Sequence, residues 1–259
     1  MSGELTGRVA LVTGASRGIG HAIARALVEA GADVLICARD ARSLEQAAIA
    51  LRDQGPGRAA ALAADVTDTA SAPRLVASCI EHYGGIDILV NNVGASRRRP
   101  IMQASDDDWR EILDLNLLSG LRLARAAVPP MRERGGGSII FIGSIWGRES
   151  GPPEQALYVV SKSAVIGAAR MMALELAGDG IRVNSVAPGS IRFAGGSWDR
   201  RVRAAPVEME RWVEQNLPLG RFGRPEEVAA LVVFLASAKA GLITGACVAV
   251  DGAQGHSLI

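Results

Sequence analysis

Lysine is nearly missing from this chain. Of 28 basic residues only Lys162 and Lys239 are lysine; the rest are arginine. Aromatic residues make up 4% of the 259 positions, and only Tyr83 and Tyr158 are tyrosine. Cysteine occurs three times, at Cys37, Cys79 and Cys247, with no C-x-x-C and no Cys/His cluster. That argues against a disulfide framework and a zinc site, so no metal is expected. The three thiols sit in apolar-patterned segments and read as small core residues. An excess of charge of either sign is also lacking, with 28 basic against 27 acidic groups. Nucleic-acid-binding domains are as a rule strongly basic, so no such partner is expected. No run reaches about 18 uninterrupted apolar residues, so no membrane span is expected. The stretch MSGELTGRVALVTG lacks the charged start and long apolar run of a signal peptide. Together these absences predict a reducing, soluble, cytoplasmic setting. In a chain so sparing of lysine and tyrosine, each surviving copy is worth inspecting.

Apolar residues supply 49% of the chain, ample for a core, and the length suits one domain over residues 1–259. Short β-rich apolar runs fall at 9–13, 34–38, 59–64, 86–91, 138–144, 182–187 and 247–250. Helix-length amphipathic or alanine-rich segments lie between them, at 19–29, 41–54, 72–83, 107–134, 155–177 and 225–236. Strand–helix alternation predicts a parallel sheet covered on both faces, with strands apolar on both sides. Residues 188–203 read as one long irregular segment, of the kind that forms lids and binding loops.

The first run passes into Thr13-Gly14-Ala15-Ser16-Arg17-Gly18-Ile19-Gly20 and then directly into a helical pattern. Glycines let the backbone turn sharply and approach a pyrophosphate, which the free N–H groups of the helix start would receive. The spacing is G-x-x-x-G-x-G rather than the usual G-x-G-x-x-G. The second run ends at Cys37-Ala38-Arg39-Asp40. A site preferring NAD places a carboxylate about there to bind the ribose 2′-hydroxyl. Ala38 cannot repel a 2′-phosphate, and Arg39 and Arg17 can pair with one, which predicts NADP(H). The plainer alternative makes Arg39 a solvated residue and Asp40 a helix cap.

Tyr158-Val159-Val160-Ser161-Lys162 lies in a helical pattern, so Tyr158 and Lys162 share one face. An ammonium beside a phenol lowers its pKa and makes it a competent proton donor or acceptor. Upstream, the fifth run ends in Ile142-Gly143-Ser144, where strand ends of an open sheet line the ligand crevice. Ser144 is thus placed to bond the same substrate oxygen, or simply to cap the strand end.

With these residues, the chain resembles a short-chain dehydrogenase/reductase over essentially its whole length. The matching pieces are residues 13–20, Asp65-Val66, Asn91-Asn92-Val93-Gly94, Asn116, Ser144, Tyr158, Lys162, Asn184, Pro188-Gly189, Ile243-Thr244-Gly245 and Val250-Asp251-Gly252. The resemblance implies a doubly wound Rossmann fold, a seven-stranded parallel sheet with helices on both faces. It implies that Gly14, Ser16, Arg17, Gly18, Ile19, Gly20, Arg39, Asp65, Val66, Asn92, Gly94, Pro188, Gly189 and Ile191 hold the cofactor, Asp65 at the adenine. Asn91 would hold the central strand and the cofactor edge. Asn116 would anchor a proton relay through a helix kink, and Ser144 would polarise a substrate carbonyl. Tyr158 would be the general acid, and Lys162 would bind the nicotinamide ribose and lower the tyrosine pKa. Members are commonly tetramers or dimers, so a homotetramer or homodimer is expected, paired through the helices carrying Asn116 and Tyr158.

Some positions depart from the family pattern. The threonine usual about four positions after Pro188-Gly189 is absent; the place reads Ser190-Ile191-Arg192-Phe193. Val93 and Ala253 replace the usual alanine and glycine. Asp179 stands where acyl-carrier reductases of the family often carry a basic residue, although the nearest general match is still 3-oxoacyl-reductase-like. Substrate identity should reside in the loops. Trp146, Phe193 and Trp198 are candidates for an apolar wall, within a lid spanning about 188–217. Trp212 is another candidate, or ordinary lid packing. Arg97-Arg98-Arg99 either steer an anionic substrate or form a solvated loop or subunit contact. The function expected is an NADP(H)-dependent carbonyl reductase acting on a small molecule. The alternatives are an NAD-dependent alcohol dehydrogenase, or a catalytically silent dinucleotide-binding regulator or scaffold, which would be favoured by loss of Ser144, Tyr158 or Lys162.

Overall fold

The apolar runs become strands in a computed structural model that describes residues 3–258. They are β1 (Val9–Thr13), β2 (Asp33–Ala38), β3 (Ala59–Ala63), β4 (Ile88–Asn91), β5 (Gly137–Ile142), β6 (Ile181–Pro188) and β7 (Cys247–Val250). All seven join one parallel sheet in the order β3-β2-β1-β4-β5-β6-β7. The order reverses between β1 and β4, which opens a crevice at their C-terminal ends. The connecting helices are α1 (Gly18–Glu29), α2 (Ala41–Leu51), α3 (Ser71–Tyr83), α4 (Asp106–Leu113), α5 (Ser119–Glu133), α6 (Ala156–Leu176), α7 (Ser197–Ala204), α8 (Pro206–Asn216) and α9 (Pro225–Ala236).

Residues 9–12 of β1 and 34–37 of β2 are uninterruptedly apolar because both faces of these strands are covered. One core layer packs Ile23, Leu27, Leu44 and Val232 of α1, α2 and α9 on the sheet. The other packs Leu75, Leu123, Met131 and Val165 of α3, α5 and α6 on the opposite face. Each such side chain contributes about 1.5–3 kcal/mol when fully buried. Cys37 and Cys79 are buried and Cys247 half-buried, all three free thiols. Burial pushes the Cys37 and Cys79 thiols up to about 12, so they are inert core residues.

Two stretches differ from the sequence expectation. The helix expected over 107–134 is two helices, joined by a π-helical turn at Asp114–Leu118 that carries Asn116. The segment expected to be irregular over 188–203 contains α7, which starts at Ser197. That helix is held by a local cluster of polar contacts: Asp199 is buried and accepts from Gly195 N at 3.1 Å while pairing with Arg192 and Arg203. Segment Pro153–Asp179, with mean hydropathy 1.3, is long and apolar enough to cross a membrane by length and composition. Its inward residues Leu157, Lys162, Val165 and Ala169 are instead buried in the fold.

Candidate active site

The strand ends open into a cleft of about 1120 Å³. Its floor begins at the turn between β1 and α1. Gly18 has φ +62° and lies beneath the Phe193 ring, and Gly20 is packed so closely that a Cβ would stand 2.4 Å from the Gly14 carbonyl oxygen. Asn92 fastens this turn to β4 by donating from Nδ2 to Thr13 O at 2.9 Å and Gly14 O at 3.2 Å. Among the described residues no side chain caps the start of α1. Its first N–H groups therefore remain free for an anion in the cleft.

At the end of β2, Asp40 accepts from Ser43 N at 2.8 Å and caps α2. Its carboxyl is held below the usual range by that cap, and Arg39 beside it is exposed. Asp65 turns inward on its own loop, accepting from Thr67 N and Oγ1 at 3.0 and 2.7 Å, contacts that keep its pKa low. Among the described residues neither Arg17 nor Arg39 has an ion pair, and no carboxylate occupies position 38. This set fits a dinucleotide bearing a 2′-phosphate: an uncapped helix start for the pyrophosphate and two unpaired guanidiniums for the phosphate.

Ser144, Tyr158 and Lys162 converge at the opposite end of the same cleft. Ser144 has extended backbone and caps the short turn Ile145–Gly147, its Oγ accepting from Trp146 N at 3.2 Å. Trp146 meets the Tyr158 ring edge-on at 6.3 Å. Lys162 is buried, and its Nζ donates to Ile142 O at 2.7 Å. Behind them, Asn116 accepts from Ala95 N at 2.9 Å and donates to Ala95 O at 2.9 Å and Ser161 Oγ at 2.8 Å. Ser161 in turn donates to Tyr158 O at 2.8 Å. Asn116 thus ties the loop after β4 to the helix carrying Tyr158 and Lys162.

The electrostatics differ from the expectation that Lys162 depresses the tyrosine. Burial raises the Tyr158 phenol, and its hydrogen bond with Ser144 offsets part of the rise. Burial also brings the Lys162 ammonium down to about 8. Its Nζ lies 5.8 Å from the Tyr158 ring centroid and is committed to the Ile142 carbonyl. Desolvation therefore outweighs the ammonium's pull on the phenol.

Of the other residues singled out in the sequence, Gly14, Ser16, Arg17, Ile19, Gly20, Arg39, Asp65, Val66, Asn92, Gly94, Pro188, Gly189 and Ile191 line the cleft. So do Trp146, Phe193 and Trp198. Gly18 is instead covered by Phe193, so that ring packs on the glycine turn as well as facing the cleft. Trp212 lies outside the lining and stacks on Trp198 and Phe222, with centroids at 4.6 and 6.0 Å. It packs on these two rings and does not line the cleft. Asn91 does not tie down the central strand through its side chain: both amide atoms are buried without a hydrogen-bond partner among the described residues. Where the threonine is absent, Ser190 N donates to Gln254 Oε1 at 2.8 Å. Gln254 and Gln155 also line the cleft and were not legible in the sequence. Ser96 donates to Gln155, a contact that no local motif marks.

Comparison with known proteins agrees with this architecture. A family model described as enoyl-(acyl carrier protein) reductase matches residues 14–253. The 3-oxoacyl-(acyl-carrier-protein) reductase FabG of Vibrio cholerae is 39% identical over 96% of this chain and 98% of that one. Dehydrogenase/reductase SDR family member 4 of Bos taurus is 38% identical over 96% and 87%. The crystal structure of L-sorbose reductase from Gluconobacter frateurii, complexed with NADPH and L-sorbose, is 34% identical, superimposes with a TM-score of 0.93 and covers 100% of both chains. On the fold, the cleft and these matches together, the chain belongs to the short-chain dehydrogenase/reductase family.

Proposed function

We propose that this enzyme is an NADP(H)-dependent reductase of a small-molecule carbonyl compound, reversible as an alcohol dehydrogenase. The observation that carries the reading is the convergence of Ser144, Tyr158 and Lys162 at one end of a cleft whose other end is the glycine turn. The residues of that turn, with Arg39, Asp65 and Val66, hold the dinucleotide, and Arg17 and Arg39 receive its 2′-phosphate. The sorbose reductase neighbour, solved with NADPH, supports this cofactor. The nicotinamide, when bound, supplies or accepts the hydride.

The protein supplies orientation and a proton. Ser144 hydrogen-bonds the substrate oxygen and fixes it beside Tyr158 Oη. A buried phenol with a raised pKa stays protonated near neutral pH, the state needed to donate a proton as the carbonyl is reduced. Lys162 holds the ribose end of the cofactor and places positive charge beneath the developing phenolate. Asn116 positions these groups through Ala95 and Ser161. The lid over 188–217 closes the cleft, with Phe193 and Trp198 as its inner wall.

The 3-oxoacyl-(acyl-carrier-protein) reductase and the L-sorbose reductase have different substrates on nearly the same fold, so the family alone does not select one. A single catalytic domain in a soluble, cytoplasmic oligomer completes the reading. Val160, Met171 and Leu174 of α6 are exposed on its outer side. An apolar face of this kind on the helix carrying the site suits a second copy of the chain, in a homodimer or homotetramer. The test is turnover of a ketone panel with NADPH and NADH. We expect NADPH to be preferred, Arg39→Ala to erode the preference, and Tyr158→Phe to abolish turnover. An NADH kcat/KM equal to that for NADPH, or full activity of Tyr158→Phe, refutes it.

A further inference from the structure

The loop after β4 carries three consecutive arginines, and two of them are neutralised. Arg97 pairs with Asp108 and, at 2.6 Å, with Glu111. Arg99 pairs with Asp108 at 3.3 Å. Arg98 has no ion pair among the described residues and lines the cleft. The opposite wall repeats the pattern. On and before α7, Arg192 and Arg203 pair with Asp199 at 3.1 and 3.0 Å, and Arg200 donates to Gly195 O at 2.6 Å. Among the described residues Arg201 has neither an ion pair nor a side-chain hydrogen bond; it lines the cleft, half-buried, with its guanidinium 5.0 Å from the Trp198 ring centroid.

The two unpaired guanidiniums sense each other. Arg98 repels Arg201, and that repulsion adds to burial in disfavouring the Arg201 cation, while Glu154 opposes it from outside the lining. The carboxylates that do line the cleft, Asp40 and Asp65, stand at its far end and are engaged with Ser43 and Thr67. The substrate end therefore holds Arg98, Arg201 and Lys162 with no lining carboxylate among the described residues. Keeping two like charges together and partly dehydrated costs stability unless an anion joins them.

Resting on the reductase reading above, we infer that Arg98 and Arg201 form an anion clamp that selects carbonyl substrates carrying a carboxylate or phosphate group. Guanidiniums suit both, since each offers a planar fork of donors to paired oxygens. Trp198 holds the Arg201 fork by stacking, and the ketone oxygen then reaches Ser144 and Tyr158 from within the same cleft.

The test compares a keto acid, its methyl ester and a ketone phosphate of similar length, by NADPH consumption, in the native enzyme and in Arg98→Gln, Arg201→Gln and the double variant. The native enzyme should favour at least one anionic substrate over the ester by about tenfold or more in kcat/KM, mostly through KM, and the preference should weaken as salt is raised. The double variant should reduce that ratio by about tenfold. Preference for the acid or for the phosphate identifies which anion the clamp takes. An ester handled as well as both anions, or variants that depress all three substrates equally, overturns the clamp while leaving the reductase standing. Calorimetric titration of the corresponding hydroxy acid, alcohol phosphate and hydroxy ester with NADP⁺ present separates the two ideas when turnover is absent. Arginine-dependent binding of either anion without turnover keeps the clamp and sinks the reductase; no preference for either anion over the ester overturns the clamp.

Discussion

Gly20→Ala sets helix propensity against packing at the dinucleotide turn. In an open helix the change would stabilise by at most about 1 kcal/mol, because alanine is the better helix former. Gly20 is not in the open. A Cβ there would stand 2.4 Å from the Gly14 carbonyl oxygen and 2.5 Å from Asn92 Nδ2. Ordinary contact needs about 1 Å more, and the Gly14 oxygen belongs to backbone that Asn92 already clamps at 3.2 Å. Either the start of α1 lifts from the strand or the turn opens. Overpacking of this kind costs about 1–3 kcal/mol, which exceeds the propensity gain over most of that range, so the net loss is up to about 2 kcal/mol. The same displacement moves the free N–H groups away from where a pyrophosphate would sit. Urea unfolding and fluorescence titration of NADPH measure the two effects on one preparation. We expect a lower unfolding midpoint with unchanged slope and at least about tenfold weaker cofactor binding. A midpoint equal to or above the native value, with unchanged affinity, would refute the close-packing argument.

Three further outcomes follow from the site. Lys162→Arg should cut kcat by well over fivefold, because a planar fork cannot replace a compact ammonium buried against Ile142 O at 2.7 Å; steady-state kinetics with less than about fivefold loss counts against this. Carbonyl reduction should weaken as pH rises through about 8, where the buried Lys162 loses its proton: burial favours the neutral amine, so the cation is present below that value and lost above it. A kcat/KM profile flat from pH 7 to about 10 would contradict the assignment. Asn116→Ala should lower stability by only about 1 kcal/mol, since the Ala95 backbone it leaves behind is exposed, yet reduce kcat by a larger factor than Kd for NADPH; equal changes in both would make Asn116 merely structural.

Local chemistry explains which parts were legible in the sequence. The seven strands follow from apolar runs such as 9–13, which need only period and composition to be recognised. The glycine turn and the Tyr158/Lys162 pair are also local, since four residues on a helix fix a shared face. What escaped depends on partners far along the chain. Gln254 reaches Ser190 across 64 positions, and nothing near either residue signals it. Phe193 settles on Gly18, although the sequence places it in a different segment. The start of α7 was hidden for another reason: its partners are near in sequence, but Asp199 reads as a surface acid until the fold gathers Arg192, Arg203 and Gly195 around it. The pKa order at Tyr158 and Lys162 also depends on burial, which spacing alone does not determine.

The bond from Lys162 to Ile142 O has a consequence for how such a protein can change over generations. Ser144 lies two positions beyond that carbonyl, and Tyr158 lies one helical turn from Lys162, so the proposed chemical groups share a single strand–helix frame. The residues around 96–99 and 190–204 belong to other segments. Substitutions there can recast the pocket's shape and charge while the proton donor keeps its coordinates. Diversification toward a new ketone would then require mutations only at the rim, with the chemical step inherited intact.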